Sequence, residues 1–158
     1  MIENPADSAK SAGLECIAFG FSDTALFDIA KNIRYTTFVL EQAVDPDLEL
    51  DGLDPQAQHF LVKAGSDFLA TARYRFTHEG IKIERFAVVK DFRSQHIGSF
   101  LLIHMLNVLT KLNRPIYLHA QDSAVNFYLK HGFFIVGDAF VEADIVHYHM
   151  FLNSEDKS

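Results

Sequence analysis

Only one cysteine, Cys16, stands among the 158 residues, so no disulfide can form within the chain, and a reducing compartment, the cytoplasm, is the expected address. Cations are also scarce. Lys and Arg number 14 against 21 Asp and Glu, giving a formal net charge of −7. Binding a nucleic-acid backbone takes clustered Lys and Arg, which this chain lacks, so nucleic acid is not an expected partner. No apolar run approaches the ~20 residues that a membrane-spanning helix requires. The opening Met1-Ile2-Glu3-Asn4-Pro5-Ala6-Asp7 is too polar for a secretory signal, and neither membrane insertion nor export is expected. Internal repeats and low-complexity blocks are missing too, which excludes solenoid architectures.

What is present suits one globular unit. A hydrophobic content of 49% can bury a single core at this length. Residues 1–13, rich in Ala, Ser and Asp, read as a loose tail, and 14–153 as a single domain. Leu14–Gly20 is short and apolar enough for a strand. Ser22 and Asp23 offer an N-cap for a helix to about Gln42, with Leu26, Ile29, Ala30, Ile33 and Thr37 at helical spacing. Three strands follow at 59–64, 68–76 and 81–89, joined by Gly65-Ser66-Asp67 and Thr77-His78-Glu79-Gly80 turns. An apolar helix runs from Ile97 to about Asn113, before Pro115. A strand at 116–121 comes next, then a helix capped by Asp122 or Ser123 and closed by Gly132, then strands 133–136 and 145–152. The order predicts an α+β (α/β layered) protein with a mixed sheet, and the apolar last strand offers an edge for pairing two subunits into a homodimer.

The link Phe92-Arg93-Ser94-Gln95-His96-Ile97-Gly98-Ser99 joins a strand to a helix through a short, turn-rich, basic loop. First-turn amides of a helix have no intrahelical partner and sit at the positive end of the helix dipole, so a pyrophosphate fits there. Arg93 adds charge at the rim, and Gly98 is expected to let an anion approach the backbone. A nucleotide-like ligand is therefore expected on residues 93–99.

Together with the strand Ile81–Val89 before it and Phe127-Tyr128-Leu129-Lys130-His131-Gly132-Phe133 after it, this loop resembles the GNAT superfamily of acyl-CoA-dependent N-acetyltransferases. Its loop pattern, Arg/Gln-x-x-Gly-x-Gly/Ala, aligns with Arg93 to Gly98, with His96 standing where the family has its first glycine. A side chain there is tolerable at negative φ and awkward at positive φ. The Arg34–Val44 stretch, Asp51 and Asp54 with Ala57-Gln58-His59, Leu118-His119-Ala120-Gln121, and His147 before Met150 are similar to the YjcF or ElaA branch. The likeness spans about Ile33 to Met150.

The resemblance implies a GNAT fold whose central parallel strands splay apart around acetyl-CoA, and direct transfer of the acetyl group to a primary amine, a small cationic amine or a lysine side chain. It places Phe86, Ala87 and Val88 along the pantetheine arm, residues 93–99 on the pyrophosphate and Asn126 near the arm. Tyr128 matches the family's acid for the departing thiolate, and a phenol, with an unperturbed pKa near ~10, holds its proton at neutral pH; the alternative is a tyrosine that merely anchors helix to sheet. For the base two candidates stand. Glu84 shares a strand face with Phe86 and Val88 by strict alternation, yet could equally be ion-paired. His119, on the neighbouring strand, carries an imidazole suited to proton transfer, or simply supports the split. Arg34, Phe38, Glu41 and Gln42 are implied to face the acceptor. The acids Asp45, Asp47, Glu49, Asp51 and Asp54 form either a cation-steering rim or a solvated loop, and His59 is placed to hold that loop. Two other readings remain: a non-catalytic acyl-CoA sensor, and metal binding through His147 and His149 with His119 or His131. No Cys or carboxylate accompanies those histidines at metal-ligand spacing, so no metal is expected.

Overall fold

The computed structural model describes residues 13–154; the expected tail, apart from Gly13, lies outside them. Strand β1 (Leu14–Gly20) leads into helix α1 (Thr24–Arg34). Asp23 caps α1 as the sequence predicts, its Oδ1 accepting from Leu26 N at 3.2 Å. The helix does not stay α-helical to its end. Residues Tyr35–Glu41 widen into a π-helix, and Ala43 follows at φ 58°. A four-residue helix α2 (Pro46–Glu49) then precedes the antiparallel strands β2 (Gln58–Ala64), β3 (Asp67–Thr77) and β4 (Gly80–Val88).

Helix α3 (Ile97–Leu109) follows the loop and leads to β5 (Ile116–Gln121). Helix α4 (Val125–Lys130) begins after a 3₁₀ turn at Asp122–Ala124, without the expected side-chain cap from Asp122 or Ser123. Three strands complete the sheet: β6 (Phe133–Ile135), β7 (Phe140–Glu142) and β8 (Ile145–Leu152). β7 has no counterpart in the sequence reading, because three residues are too few to show a period of two.

The eight strands form one mixed sheet in the order β1-β2-β3-β4-β5-β8-β6, with β7 also on β8. Helices cover both faces. Leu101, Leu102, Met105 and Leu109 of α3 are fully buried against one face, each contributing roughly 1.5–3 kcal/mol. Ala30 and Ile33 of α1 pack with Phe19, Leu61 and Ala87 on the other. Gly80 starts β4 where only a glycine fits: its φ is +138° and an added Cβ would lie 2.2 Å from Pro115 O. Ile81 N donates to that same oxygen at 2.8 Å, which ties β4 to the entry of β5.

Two features of β4 build the site. Its parallel pairing with β5 covers only Ile81, Lys82 and Ile83 against Ile116, Tyr117 and Leu118, so the two strands part after Ile83, as the splayed GNAT sheet requires. Opposite β3 the register moves from Arg73↔Glu84 to Thr71↔Ala87, which inserts one extra residue in β4, with Arg85 at φ 55°. That is a β-bulge, and it overturns the strict alternation expected for this strand. Ile83, Phe86 and Val88 now pack toward the α3 side, whereas Ala87 packs toward α1.

Candidate active site

Where β4 and β5 part, a cleft of about 410 Å³ opens. Phe38 and Gln42 line it from the π-helical turn, Leu48, Glu49 and Asp51 from α2 and the loop after it, and Lys82–Phe86 from β4. Leu118–Gln121 of β5, Tyr128 of α4, and Glu142, Ile145 and His147 of the β7–β8 hairpin complete the wall. Gln121 Nε2 donates to Gln42 Oε1 at 2.8 Å, joining the π-helical turn to β5. Phe38 and Gln42 therefore sit where the sequence places them.

The main-chain edge of β4 beyond Ile83 has no strand partner on the β5 side, as an extended acyl-carrier arm would need. Past that edge stands the N-terminus of α3. No side chain caps it, and Phe100 N bonds His96 O at 3.0 Å, so the first-turn amides of Ile97, Gly98 and Ser99 suit an external anion. His96, in the glycine position of the pattern, takes φ +64°, the left-handed conformation that glycine adopts most readily, and Ser94, at an open position of the pattern, also takes φ +64°. A Cβ at Gly98 would lie 3.4 Å from Phe127 and 3.6 Å from Phe86, ordinary contact distances, so the packing of these rings does not itself require the glycine. Arg93 is pinned, donating to Val88 O at 2.9 Å and to Glu41 Oε2 at 2.7 Å. Gln95 Nε2 reaches Asp91 O at 3.3 Å, Ser99 Oγ lies 3.0 Å from His131 Nε2, and Asn126 is exposed on α4 outside the cleft wall.

Tyr128 is 7% exposed and lies among Phe86, Phe127 and Phe133, with ring centroids 6.1, 5.1 and 5.7 Å away. Burial raises its pKa well above the ordinary phenol value. The phenol therefore holds its proton at neutral pH, as a proton donor must, while burial also makes it a weaker acid than a free phenol.

Several implied roles are corrected by the charges. Arg34 is 1% exposed and does not face the cleft; it bonds Glu49 and Asp54. Arg73, fully buried, binds Asp51, Asp54 and Glu84. Glu84 lines the cleft but also takes Arg75 at 2.7 Å and Lys82 at 3.2 Å. Burial alone would raise its pKa, yet these cations hold its carboxyl far below the usual carboxylate range. So firmly ionised a group makes a poor proton acceptor, and Glu84 is better read as a structural counter-ion than as the base. Glu41 faces Arg93 instead of the acceptor. Of the acids between 45 and 54, Glu49 and Asp54 are buried and Asp51 is held by Arg73 and Arg85, so most of that charge is not a rim. His59, buried, places Nε2 3.1 Å from Asp54 O and does brace this segment.

At the far end of the cleft His119 meets two residues the sequence reading did not put in the site or gave no acceptor role. Its Nδ1 lies 3.6 Å from Glu142 Oε1, while His147 Nε2 lies 3.8 Å from Glu142 Oε2. Both separations are too long for hydrogen bonds. His119, Lys82 and His147 lower the carboxyl pKa of Glu142 against the opposing effect of burial. Phe140 stands beside both imidazoles, 5.0 Å from His119 edge-on and 5.9 Å from His147 face-on. The likenesses around His119 and His147 hinted at this corner; nothing in the sequence marked Glu142. Among the described residues no group of three or more His, Cys, Asp or Glu side chains is disposed to hold a metal ion.

This geometry has counterparts in known proteins. The family model described as an acetyltransferase (GNAT) domain matches residues 21–154. An uncharacterized N-acetyltransferase from Bacillus subtilis, YjcF, is 31% identical over 120 residues, covering 75% of this chain and 86% of its own. Escherichia coli ElaA is 29% identical over 124 residues, covering 75% and 81%, and its crystal structure superposes with a TM-score of 0.80 over 88% of this chain and 99% of that one, at 28% identity. An acyl-CoA N-acyltransferase from Pseudomonas aeruginosa gives a TM-score of 0.79 at 27% identity, covering 89% and 99%. The split sheet, the loop before α3 and these likenesses together make the chain an N-acetyltransferase belonging to the GNAT family, in the branch that contains YjcF and ElaA.

Proposed function

We propose that acetyl-CoA is the donor and a primary amine the acceptor, with direct transfer in the cleft between β4 and β5. The parting of the two strands after Ile83, with Tyr128 in the cleft wall, carries this reading. The free edge of β4 would align the pantetheine arm, and the amides of Ile97, Gly98 and Ser99 would bind the pyrophosphate. The amine nitrogen loses one proton before attack and a second as the tetrahedral adduct collapses. The N–C bond forms, the C–S bond breaks, and Tyr128 delivers a proton to the departing sulfur, replacing its own from the second proton released. We take 14–153 as the catalytic unit and the cytoplasm as its location; burial pushes the Cys16 thiol up to about 11, which suits an unreactive side chain. The homodimer expected through the last strand loses its edge, because β8 is paired with β5 on one side and with β6 and β7 on the other.

Thiol release from acetyl-CoA, followed across a panel of amines, tests the reading. Tyr128→Phe is expected to lower kcat by about 10²-fold or more, the usual range for a general acid, while calorimetry still registers CoA binding. Full turnover in that variant would remove Tyr128 from the mechanism. Binding without turnover by any amine would favour an acyl-CoA sensor.

A further inference from the structure

The cleft has four carboxylates in its wall: Glu49, Asp51, Glu84 and Glu142. Glu49 is held by Arg34 and approached by Arg85, Asp51 is held by Arg73 and Arg85, and Glu84 by Arg73, Arg75 and Lys82. Glu142 differs. Among the described residues it has no Arg or Lys within ion-pair distance: His119 and His147 come nearest, Lys82 acts on it from farther away, and 51% of its side chain is exposed.

Both imidazoles turn a ring nitrogen toward Glu142. His147 Nδ1 lies 2.7 Å from Ile145 O; a carbonyl only accepts, so Nδ1 carries the proton and Nε2, on the Glu142 side, bears the lone pair of the neutral ring. His119 Nδ1 is buried and has no hydrogen-bond partner. An unsatisfied buried ring nitrogen beside a carboxylate that carries no cation is costly unless something completes it.

Resting on the acyl-transfer reading above, we infer that Glu142, His119 and His147 form the seat of the acceptor's ammonium group. An ammonium has three N–H donors and no acceptor. It meets here the Glu142 carboxylate and the Nε2 lone pair of His147, with the His119 ring alongside, and His147 Nε2 is placed to take the proton that must leave before attack. The seat also sets the substrate class. The cations in the cleft wall, Arg75, Lys82 and Arg85, are already engaged, the first two by Glu84 and Arg85 by Asp51 and the Glu49 carbonyl. An amine with a carboxylate on the same carbon would find no free cation and would bring its negative charge toward Glu142. Primary amines without an α-carboxylate, such as an alkylamine or a lysine side chain, are therefore preferred over free α-amino acids.

n-Butylammonium is the probe, with glycine as the contrasting amine. Butylamine is expected to support thiol release with kcat/KM at least tenfold above glycine. Glu142→Gln is expected to raise the KM for butylamine at least tenfold with the KM for acetyl-CoA unchanged, and Glu142→Asp to recover part of the loss. Independently of turnover, n-butylammonium added to the CoA-loaded protein should shift the NMR ring signals of His119 and His147 in the wild type and not in E142Q. An unchanged butylamine KM in a folded E142Q, or ring signals indifferent to the probe in the wild type, overturns the seat even where thiol release proceeds. Ring signals that respond in a protein releasing no thiol with any amine leave the seat standing and overturn the transfer reading instead.

Discussion

Glu84 illustrates how one residue changes meaning once its neighbours are known. Its position on the cofactor strand suits a base, but Arg73, Arg75 and Lys82 surround it at 2.8, 2.7 and 3.2 Å. Breaking a buried pair leaves a charge uncompensated, so Glu84→Gln is expected to cost about 3 kcal/mol, the low end for such losses, because Asp51 and Asp54 still hold Arg73. Urea denaturation should show a lower midpoint at unchanged slope, and the folded variant should keep kcat within a few-fold of wild type. A stable variant whose kcat falls a hundredfold would return the base role to Glu84. Local sequence could not decide this, since Arg73 lies 11 positions from Glu84 and Asp54 a further 19 from Arg73. The place of Tyr128 in the cleft wall and the start of a helix at Ile97 were legible because each is marked by a short contiguous segment.

At the scale of elements, β4 joins the fold to the site. Its pairing with β5 starts at Ile81 and stops at Ile83, and Gly80 permits that start by letting Pro115 approach. Gly80→Ala forces a Cβ against Pro115 O at a φ of +138°. The clash is expected to cost about 3 kcal/mol, the upper end for overpacking, and to lower Tm by roughly 6–12 °C in a chain of this size. A thermal scan beside an Ala substitution at Gly65, where nothing lies within 4 Å of the added Cβ, separates the clash from the strain of positive φ alone. Equal losses at both sites would remove the close approach as the cause. Most helices and strands were readable from their periods and turns. The bulge was not, because Glu84-Arg85 contains no glycine to announce a positive φ. Nor was the β7–β8 hairpin, whose turn residues Ala143 and Asp144 take φ 52° and 61° without the Asn-Gly signal that usually marks such a turn.

For the whole molecule, the ion pairs of Arg34, Arg73 and Arg85 link α1, the acidic segment after it, β3 and β4 into one buried charge network. In sequence that segment read as either a cation-steering rim or a solvated loop, since a run of Asp and Glu gives no sign that its arginine partners lie on other elements. The network ties stability to pH in a definite direction. Burial by itself would raise the carboxyls of Asp51, Asp54 and Glu84, but their cations hold all three below ordinary values of 3.8, 3.8 and 4.5. Burial lowers His59 and His149 below 6.5. Every one of these groups binds protons more readily unfolded than folded, so each contributes stability above its ordinary pKa that is lost as pH falls. Loss is therefore expected in two stages, first below about pH 6.5 as unfolded histidines gain protons that the native state resists, then more steeply below about pH 4.5 as unfolded carboxylates do the same. Urea midpoints measured at pH 7.5, 5.5, 4.0 and 3.0 should fall throughout, and His59→Gln, which can still donate to Asp54 O, should shrink the first stage and leave the second. A midpoint that holds or rises between pH 7.5 and 5.5 would mean that His59 accepts a proton in the folded protein, which its place between Phe19, Phe27 and Asp54 is arranged to prevent.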